Sequence, residues 1–167
     1  MLADDLKERP IATALLERFP DAIREGRITR GELSLIVDPK AIAAIAAFLR
    51  QEQQFNRLTG VTAVDWHPSE PRFEVVYLFH SISRNERLTV KCRLGEGEEI
   101  DSLTGVYKGA NWYEREVFDL FGVVFRNHPN LTRIMLPDKW EGHPLRRDYP
   151  THGHRYNYAA DSTPTTK

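Results

Sequence analysis

The spacing of apolar residues along the chain changes several times, and each change marks an element. In IATALLERF (11–19) they recur at helical spacing up to Pro20, which predicts a short helix. GELSLIV (31–37) reads as a strand. A helix start follows, with Asp38 as N-cap and Pro39 at the first helical position. Ile42, Ile45 and Leu49 then return every three or four residues, so this helix lays one stripe on a core. Three strands come next: LTGVTAVDW (58–66), RFEVVYLFHSI (72–82) and ERLTVKCRL (86–94). The polar, proline-containing HPSEP and an SRN hairpin turn separate them. The last strand alternates without a break. Leu88, Val90, Cys92 and Leu94 face one way and Arg87, Thr89, Lys91 and Arg93 the other, the pattern of a half-buried antiparallel strand. A final helix spans 111–121 and meets Gly122, a residue suited to its C-cap.

These elements compose a β-α-β-β-β-α body preceded by a short helix. The expected fold class is α+β: an antiparallel or mixed sheet with helices on one face. Residues 1–122 are expected to form that single domain. Residues 123–167 lack sustained periodicity and carry prolines at 129, 137, 144, 150 and 164. They are expected to form an extended irregular C-terminal arm, and irregular stretches of this length are uncommon in compact domains. Phe125, Leu131, Trp140, Leu145, Tyr149, Tyr156 and Tyr158 nevertheless give it an apolar content unlike that of a disordered tail. Such an arm orders on a surface, either its own domain's or a partner's. By analogy with coupled folding and binding, a partner is expected to take much of it.

Composition narrows the function. With 41% apolar and 28% charged residues the chain reads as soluble and globular. A net charge of -1, with no Lys/Arg stripe, leaves nucleic acid no electrostatic footprint. The single cysteine, Cys92, excludes an internal disulfide framework and a cysteine-built cluster or zinc site from this chain alone. It fits a reducing compartment, and its place on the inward face of a strand makes it a core residue. MLADDLKERP is acidic and has neither a secretory signal's apolar run nor a transit peptide's composition. The longest apolar run, from Ala41 to Leu49, is too short to span a bilayer.

The segment NWYEREVFDLFGV (111–123) threads Glu114, Arg115, Glu116 and Asp119 through an apolar helix. Tyr113, Val117, Leu120 and Phe121 form one stripe. Trp112 and Phe118 lie off it, so the helix is apolar over much of its circumference and packs on more than one side. Arg115 and Asp119 are four apart and can pair along the helix. Glu114 and Glu116 point about 200° apart and cannot flank one bond as acid and base. His128, His143, His152 and His154 stand at no recognised metal-ligand spacing with the acids. A solvated face would explain the charges but not the Trp, Tyr and Phe around them. An interface explains both, with each buried charge paired within the chain or across a boundary. His128-Pro129 and HPLRRDYP (143–150) leave two readings open. Their prolines fix extended loops, or Arg146 and Arg147 offer planar donors to partner carboxylates with Asp148 as counter-charge.

WYEREVFDLFGVVFRNHPNLTRIMLPDKWEGHPLRRDYP (112–150) closely resembles the C-terminal signature of a known family: the thirty-kilodalton subunit, or C subunit, of the proton-pumping NADH–quinone oxidoreductase, respiratory complex I. The matching elements are Glu114-Arg115-Glu116, Asp119, Phe121-Gly122, His128-Pro129, Arg133 and GHPLRRDYP at 142–150. The rest of the body matches loosely. The family usually places a basic residue or proline where Thr132 stands, a departure confined to that one contact.

The resemblance implies a peripheral-arm subunit that binds no cofactor itself, with FMN and the Fe-S clusters held by partner subunits. It implies packing against subunits B and D, which hold the terminal cluster and form the quinone site, with the arm laid across them. The expected interface residues are Trp112, Glu114, Arg115, Glu116, Asp119, His128, Pro129, Arg133, Trp140, His143, Pro144, Arg146, Arg147, Asp148 and Tyr149. No catalytic residue is expected in this chain. Membrane contact is expected only indirectly, through the complex, at the cytoplasmic side of the plasma membrane. A chain ending soon after the motif is expected to be the form not fused to the D subunit. Similar modules occur in coenzyme F420-dependent dehydrogenases, energy-converting hydrogenases and the chloroplast and cyanobacterial complexes, so the motif leaves the electron donor open. An alternative of another class is a freestanding hydrolase using Glu114, Asp119 and His128, which requires a pocket where the three converge.

Overall fold

The computed structural model describes residues 9–150. His152, His154, Tyr156, Tyr158, Pro164 and the outer ends of both expected domains lie outside the described residues. Helix α1 (Pro10–Arg18) has proline at its first position and buries Ile11, Ala12 and Leu15. Strands β1 (Ile23–Thr29) and β2 (Glu32–Val37) form a hairpin. Its two-residue turn, Arg30-Gly31, has φ of 53° and 80°, the positive values that match the twist of such tight turns. Asp38 then accepts a hydrogen bond from the Lys40 amide (3.0 Å) and starts a 3₁₀ turn at Pro39–Ala41. That turn runs into α2 (Ile42–Gln51), which buries Ile42, Ile45, Ala46, Phe48 and Leu49.

Strands β3 (Arg57–Asp65), β4 (Phe73–Ser81) and β5 (Glu86–Leu94) complete a five-stranded sheet of order β1-β2-β5-β4-β3. The β2–β5 pair is parallel and the others antiparallel, so the sheet is mixed. Helix α2 carries the chain from β2 to the far edge, and two antiparallel returns bring β5 back beside β2. Leu33, Leu35, Val37, Val61, Ala63, Val75, Tyr77, Phe79, Val90 and Cys92 line the inner face and join the buried residues of all three helices in one core. A short strand β6 (Glu99–Asp101) precedes α3 (Ala110–Phe121), and β7 (Val124–Arg126) follows it, pairing parallel with β6. Residues just past Gly122 are thereby stitched to the body. Helix α3 lies along β3 and buries Ala110, Val117 and Phe121. The Tyr107 hydroxyl donates to the Phe55 carbonyl (2.6 Å), fixing the approach to α3 against the loop after α2.

The α+β class, the strands at 57–65, 73–81 and 86–94, and the helices agree with the apolar periodicity. Three strands escaped it. β1 reads IREGRIT, with charged residues at three of seven positions, because it is an edge strand in a solvated position. β6 and β7 are three residues each, too short for any period to register.

Cys92 is fully buried on β5, and burial raises its thiol far above the ordinary range. The chain's only thiol should therefore be silent to Ellman-type reagents in the folded protein and react at the rate of unfolding. Rapid labelling under native conditions would contradict this placement.

Candidate functional site

A helix leaves its last carbonyls without intrahelical partners. In α3 the partners are supplied in order. The Phe118 carbonyl accepts from the Gly122 amide (2.8 Å), with Gly122 in the left-handed conformation at φ 77°. The Asp119 carbonyl accepts from His143 Nδ1 (2.8 Å), which places the proton on that nitrogen. The Leu120 carbonyl accepts from the Leu145 amide (3.1 Å), and the Phe121 carbonyl from Arg146 Nε (2.6 Å). GHPLRRDYP is thus the C-cap of α3. The fit leaves no room for a side chain at 122: a Cβ there would lie 2.6 Å from Arg146 Nη2 and 2.7 Å from His143 Nε2.

The Asp119 side chain holds the preceding part of the arm. It is fully buried; Oδ1 accepts from Arg133 Nη1 (2.7 Å), and Oδ2 from the amides of Ile134 (3.0 Å), Met135 (2.8 Å) and Leu136 (2.9 Å). Burial would raise its pKa, but the three amides and the guanidinium outweigh burial and hold it below the usual carboxylate range. Arg115 follows a different route from the one its spacing suggests. It donates to the Thr132 carbonyl (2.9 Å), the Thr132 hydroxyl (2.9 Å) and the Arg133 carbonyl (3.1 Å), so it grips the arm instead of pairing with Asp119. The intrahelical pair does not form because a buried carboxylate needs more donors than one Arg on its own helix supplies. Thr132, the departure from the family pattern, is itself an acceptor for Arg115.

A second anchor ties the arm to the sheet. Arg72, 3% exposed, makes a two-pronged contact with Asp65 (Nε to Oδ1 3.0 Å, Nη2 to Oδ2 2.9 Å) and reaches Glu96 and Asp148, each at 2.7 Å. Asp65 also accepts from the Arg147 amide (2.9 Å). Burial opposes ionisation of Asp65, yet Arg72 and the amides of Arg147 and His67 hold its pKa far down. Glu96 bridges Arg72 to Arg146 (3.1 Å). No local pattern points to Asp65, Arg72 or Glu96 here, because their partners in the arm lie 82, 76 and 50 residues away along the chain.

Glu114 and His128 occupy the other end of α3. Glu114 is fully buried and accepts from the Ser102 hydroxyl (2.6 Å) and the Leu103 amide (2.7 Å), clamping the loop that leads into the helix. Burial pushes its pKa up to about 7 against those two hydrogen bonds. His128 Nε2 contacts the Asn111 carbonyl (3.2 Å) while Nδ1 accepts from the Asn130 amide (3.1 Å), the pattern of a neutral ring. Burial lowers its pKa, against the pull of that carbonyl. Its Nε2 stands 3.9 Å from Glu114, beyond hydrogen-bond reach. Glu114, Asp119 and His128 therefore do not form the convergent constellation a hydrolase requires. Each is tied to backbone groups of a different loop.

The remaining expected residues divide by exposure. Arg133 also donates to the Gly142 carbonyl (3.2 Å), the Tyr149 hydroxyl to the Glu141 carbonyl (3.3 Å), and the Trp140 amide to the Pro137 carbonyl (2.9 Å). Pro144 is half-buried, while Pro129, Glu116 and the Arg147 side chain are exposed. Trp112 is 62% exposed, with the Arg115 guanidinium 5.3 Å from its ring centroid. Among the described residues no group of three or more His, Cys, Asp or Glu is placed to hold a metal ion. No helix among them is long and apolar enough to cross a membrane.

A family model described as respiratory-chain NADH dehydrogenase, 30 Kd subunit, matches residues 35–155. The chain belongs to this family. The C subunit of NADH-quinone oxidoreductase from Geotalea uraniireducens is 46% identical over 153 residues, covering 91% of this chain and 93% of that one. Its counterpart in Roseiflexus sp. is 44% identical over 148 residues, covering 87% and 85%. A chain in the solved structure of the membrane-bound sulfane sulfur reductase, an archaeal respiratory membrane complex, superposes with a TM-score of 0.73 at 30% identity, covering 87% of this chain and 86% of that one. In this 30-kilodalton-family chain, the motif that carries the resemblance is the segment that caps α3.

Two substitutions test the geometry. Gly122→Ala should cost well over the ~1–2 kcal/mol of a left-handed alanine, because it also displaces Arg146 and His143. Gly31→Ala, in open space at similar φ, should show the conformational cost alone. Equal losses in urea denaturation would contradict the close packing at 122. For Glu114 the folded pKa lies above the ordinary 4.5, so its contribution is present below about 4.5 and is lost as pH rises to about 7. Relative to Glu114→Gln, the wild type should lose on the order of 3 kcal/mol between pH 4.5 and 8. Parallel stability–pH curves for the two proteins would refute this.

Proposed function

We propose that this chain is a peripheral-arm subunit of a membrane-attached NADH–quinone oxidoreductase, and that it contributes assembly and interface stability rather than chemistry. The observation that carries this reading is how the motif's charged side chains are used. Asp119, Arg115, Arg133, Arg146 and Asp148 each bond within the chain and give residues 123–150 a fixed shape. That shape turns Met135, Leu145 and Arg147 outward, and α3 adds Trp112 and Glu116. Exposed Trp and Arg beside apolar side chains are the residue types that dominate binding energy at protein interfaces. A rigid arm also loses less conformational entropy on docking than a flexible one.

On this reading the chain seats against the subunits that hold the terminal iron–sulfur cluster and form the quinone site, those corresponding to B and D. Electrons pass from NADH through FMN and Fe-S clusters held by partners, and this chain reaches the membrane only through the complex, on its cytoplasmic face. A second reading keeps the architecture and changes the electron donor. The likeness to a chain of the archaeal sulfane sulfur reductase supports a redox complex other than an NADH–quinone oxidoreductase, although that name specifies an electron acceptor and not a donor.

Purifying the tagged chain from its native host in mild detergent tests both. Flavin, iron–sulfur and quinone-site polypeptides should accompany it, and their identity names the donor. Charge reversal at Glu116 or Arg147 should lower the yield of assembled complex while leaving the isolated chain within about 0.5 kcal/mol of its normal stability. Normal assembly of these variants, with loss of turnover alone, would count against the assembly role.

A further inference from the structure

We propose that Glu114, Ser102 and Thr104 form a proton-binding switch: the buried carboxyl exchanges one proton with solvent through the two hydroxyls, which reverse their hydrogen bonds while no heavy atom moves. The switch lies at the entry to α3 and does not depend on which partners the chain assembles with.

A serine hydroxyl has one proton to donate and two lone pairs to accept with. Three partners surround that of Ser102: Glu114 Oε2 at 2.6 Å, Thr104 Oγ1 at 2.8 Å and the Thr104 amide at 3.1 Å. The amide always donates, so Ser102 donates to one of the other two partners and accepts from the other. With Glu114 ionised, Ser102 donates to the carboxylate and accepts from the Thr104 hydroxyl. With Glu114 protonated, the carboxyl donates to Ser102 and Ser102 donates to Thr104. Both distances suit an O–H···O bond in either direction. Glu114 Oε1 keeps the Leu103 amide (2.7 Å) in both forms. One framework thus satisfies either form. When Thr104 gives its proton to solvent, Ser102 replaces it and Glu114 replaces that of Ser102, so one proton leaves and the negative charge stays on the carboxylate. The Glu114 side chain is fully buried while Ser102 and Thr104 are half-buried, so the hydroxyls lead from a closed interior to the surface.

The groups around Glu114 leave its charge free to change. Among the described residues no Lys or Arg pairs with it. His128, from the loop after β7, is neutral, and its Nε2 stands 3.9 Å away and contacts the Asn111 carbonyl. Tyr77 of β4 is fully buried, and burial raises its pKa well above the ordinary value, so it too is neutral. Asp101 of β6 pairs with Arg126 (2.9 Å), and the Tyr107 hydroxyl donates to the Phe55 carbonyl. Arg115, on α3 itself, is turned to Thr132. Burial is the largest influence on the carboxyl and brings its pKa up to about 7 against its two hydrogen bonds, so both forms are populated at neutral pH. The Ser102 amide donates to the Arg126 carbonyl (2.9 Å), which puts the switch where the strands before and after α3 meet.

The test is an NMR titration of the full chain carrying carboxyl-labelled glutamate, with the Glu114 signal assigned by its loss in Glu114→Gln. Its midpoint should lie near neutral pH. Ser102→Ala removes a donor to the carboxylate and should raise the midpoint by about one pH unit. Thr104→Val removes the acceptor that Ser102 needs when Glu114 is protonated, and should lower the midpoint by about as much. Thr104→Ser keeps that acceptor and should restore it. The Thr104 pair decides the matter without the Ser102 variant, since valine is isosteric with threonine and serine retains the hydroxyl. Shifts of the same sign in Ser102→Ala and Thr104→Val, as simple wetting of the carboxyl would give, would overturn the proposal. So would equal midpoints in Thr104→Val and Thr104→Ser, or a wild-type midpoint at the ordinary glutamate value.

Discussion

The C-terminal end of α3 sets the conditions for everything around it. Its last carbonyls have no helical partner, and its final turn carries an acidic residue and no basic one. Both features are unfavourable alone, because the helix dipole already makes that end negative. The arm supplies the remedy. Arg133 and Arg146 bring positive charge to the helix end, and His143, Leu145 and Arg146 donate to its carbonyls. Three consecutive amides converge on the Asp119 carboxylate. A buried charge stripped of one partner costs about 3–5 kcal/mol, so helix end and arm are stable only together.

The Arg72 cluster repeats the logic at the sheet. Asp65 at the end of β3 and Arg72 just before β4 are cross-strand neighbours that pair with both oxygens of one carboxylate engaged. That pair is buried and still has hydrogen-bonding capacity left, which Asp148 and the Arg147 amide fill from the arm. The motif GHPLRRDYP thus touches α3 through its first half and the sheet through its second. Four charges in an apolar helix are explained the same way. Glu114 and Asp119 hold loops before and after the helix, Arg115 holds the arm, and Glu116 remains outside.

Much of the scaffold was legible because burial imposes a period. β5 falls at its expected bounds since its side chains from Arg87 to Leu94 alternate between core and outer face. Gly122 was legible because helix ends favour a residue that tolerates positive φ. β1 was not, because an exposed edge removes the apolar half of the pattern. The site was legible as a list of residues and not as a set of contacts. Helical spacing offers Arg115 a partner at Asp119, but spacing cannot register donors arriving from residues 133 to 136. Asp65, Arg72 and Glu96 carry no local signature at all, since their roles arise only when the arm folds back across the sheet.

In this chain the motif thus folds residues 123–150 onto their own domain, and what it presents outward follows from that shape. Amide hydrogen exchange on the isolated chain tests this most directly. The account predicts slow exchange at Ile134, Met135, Leu136, Leu145 and Arg147, with protection at 134–136 lost in Asp119→Ala while the β4 and β5 amides stay protected. Exchange at those arm positions at the rate of an unstructured peptide in the wild-type chain would contradict it, and would mean that the arm takes its shape only from a partner.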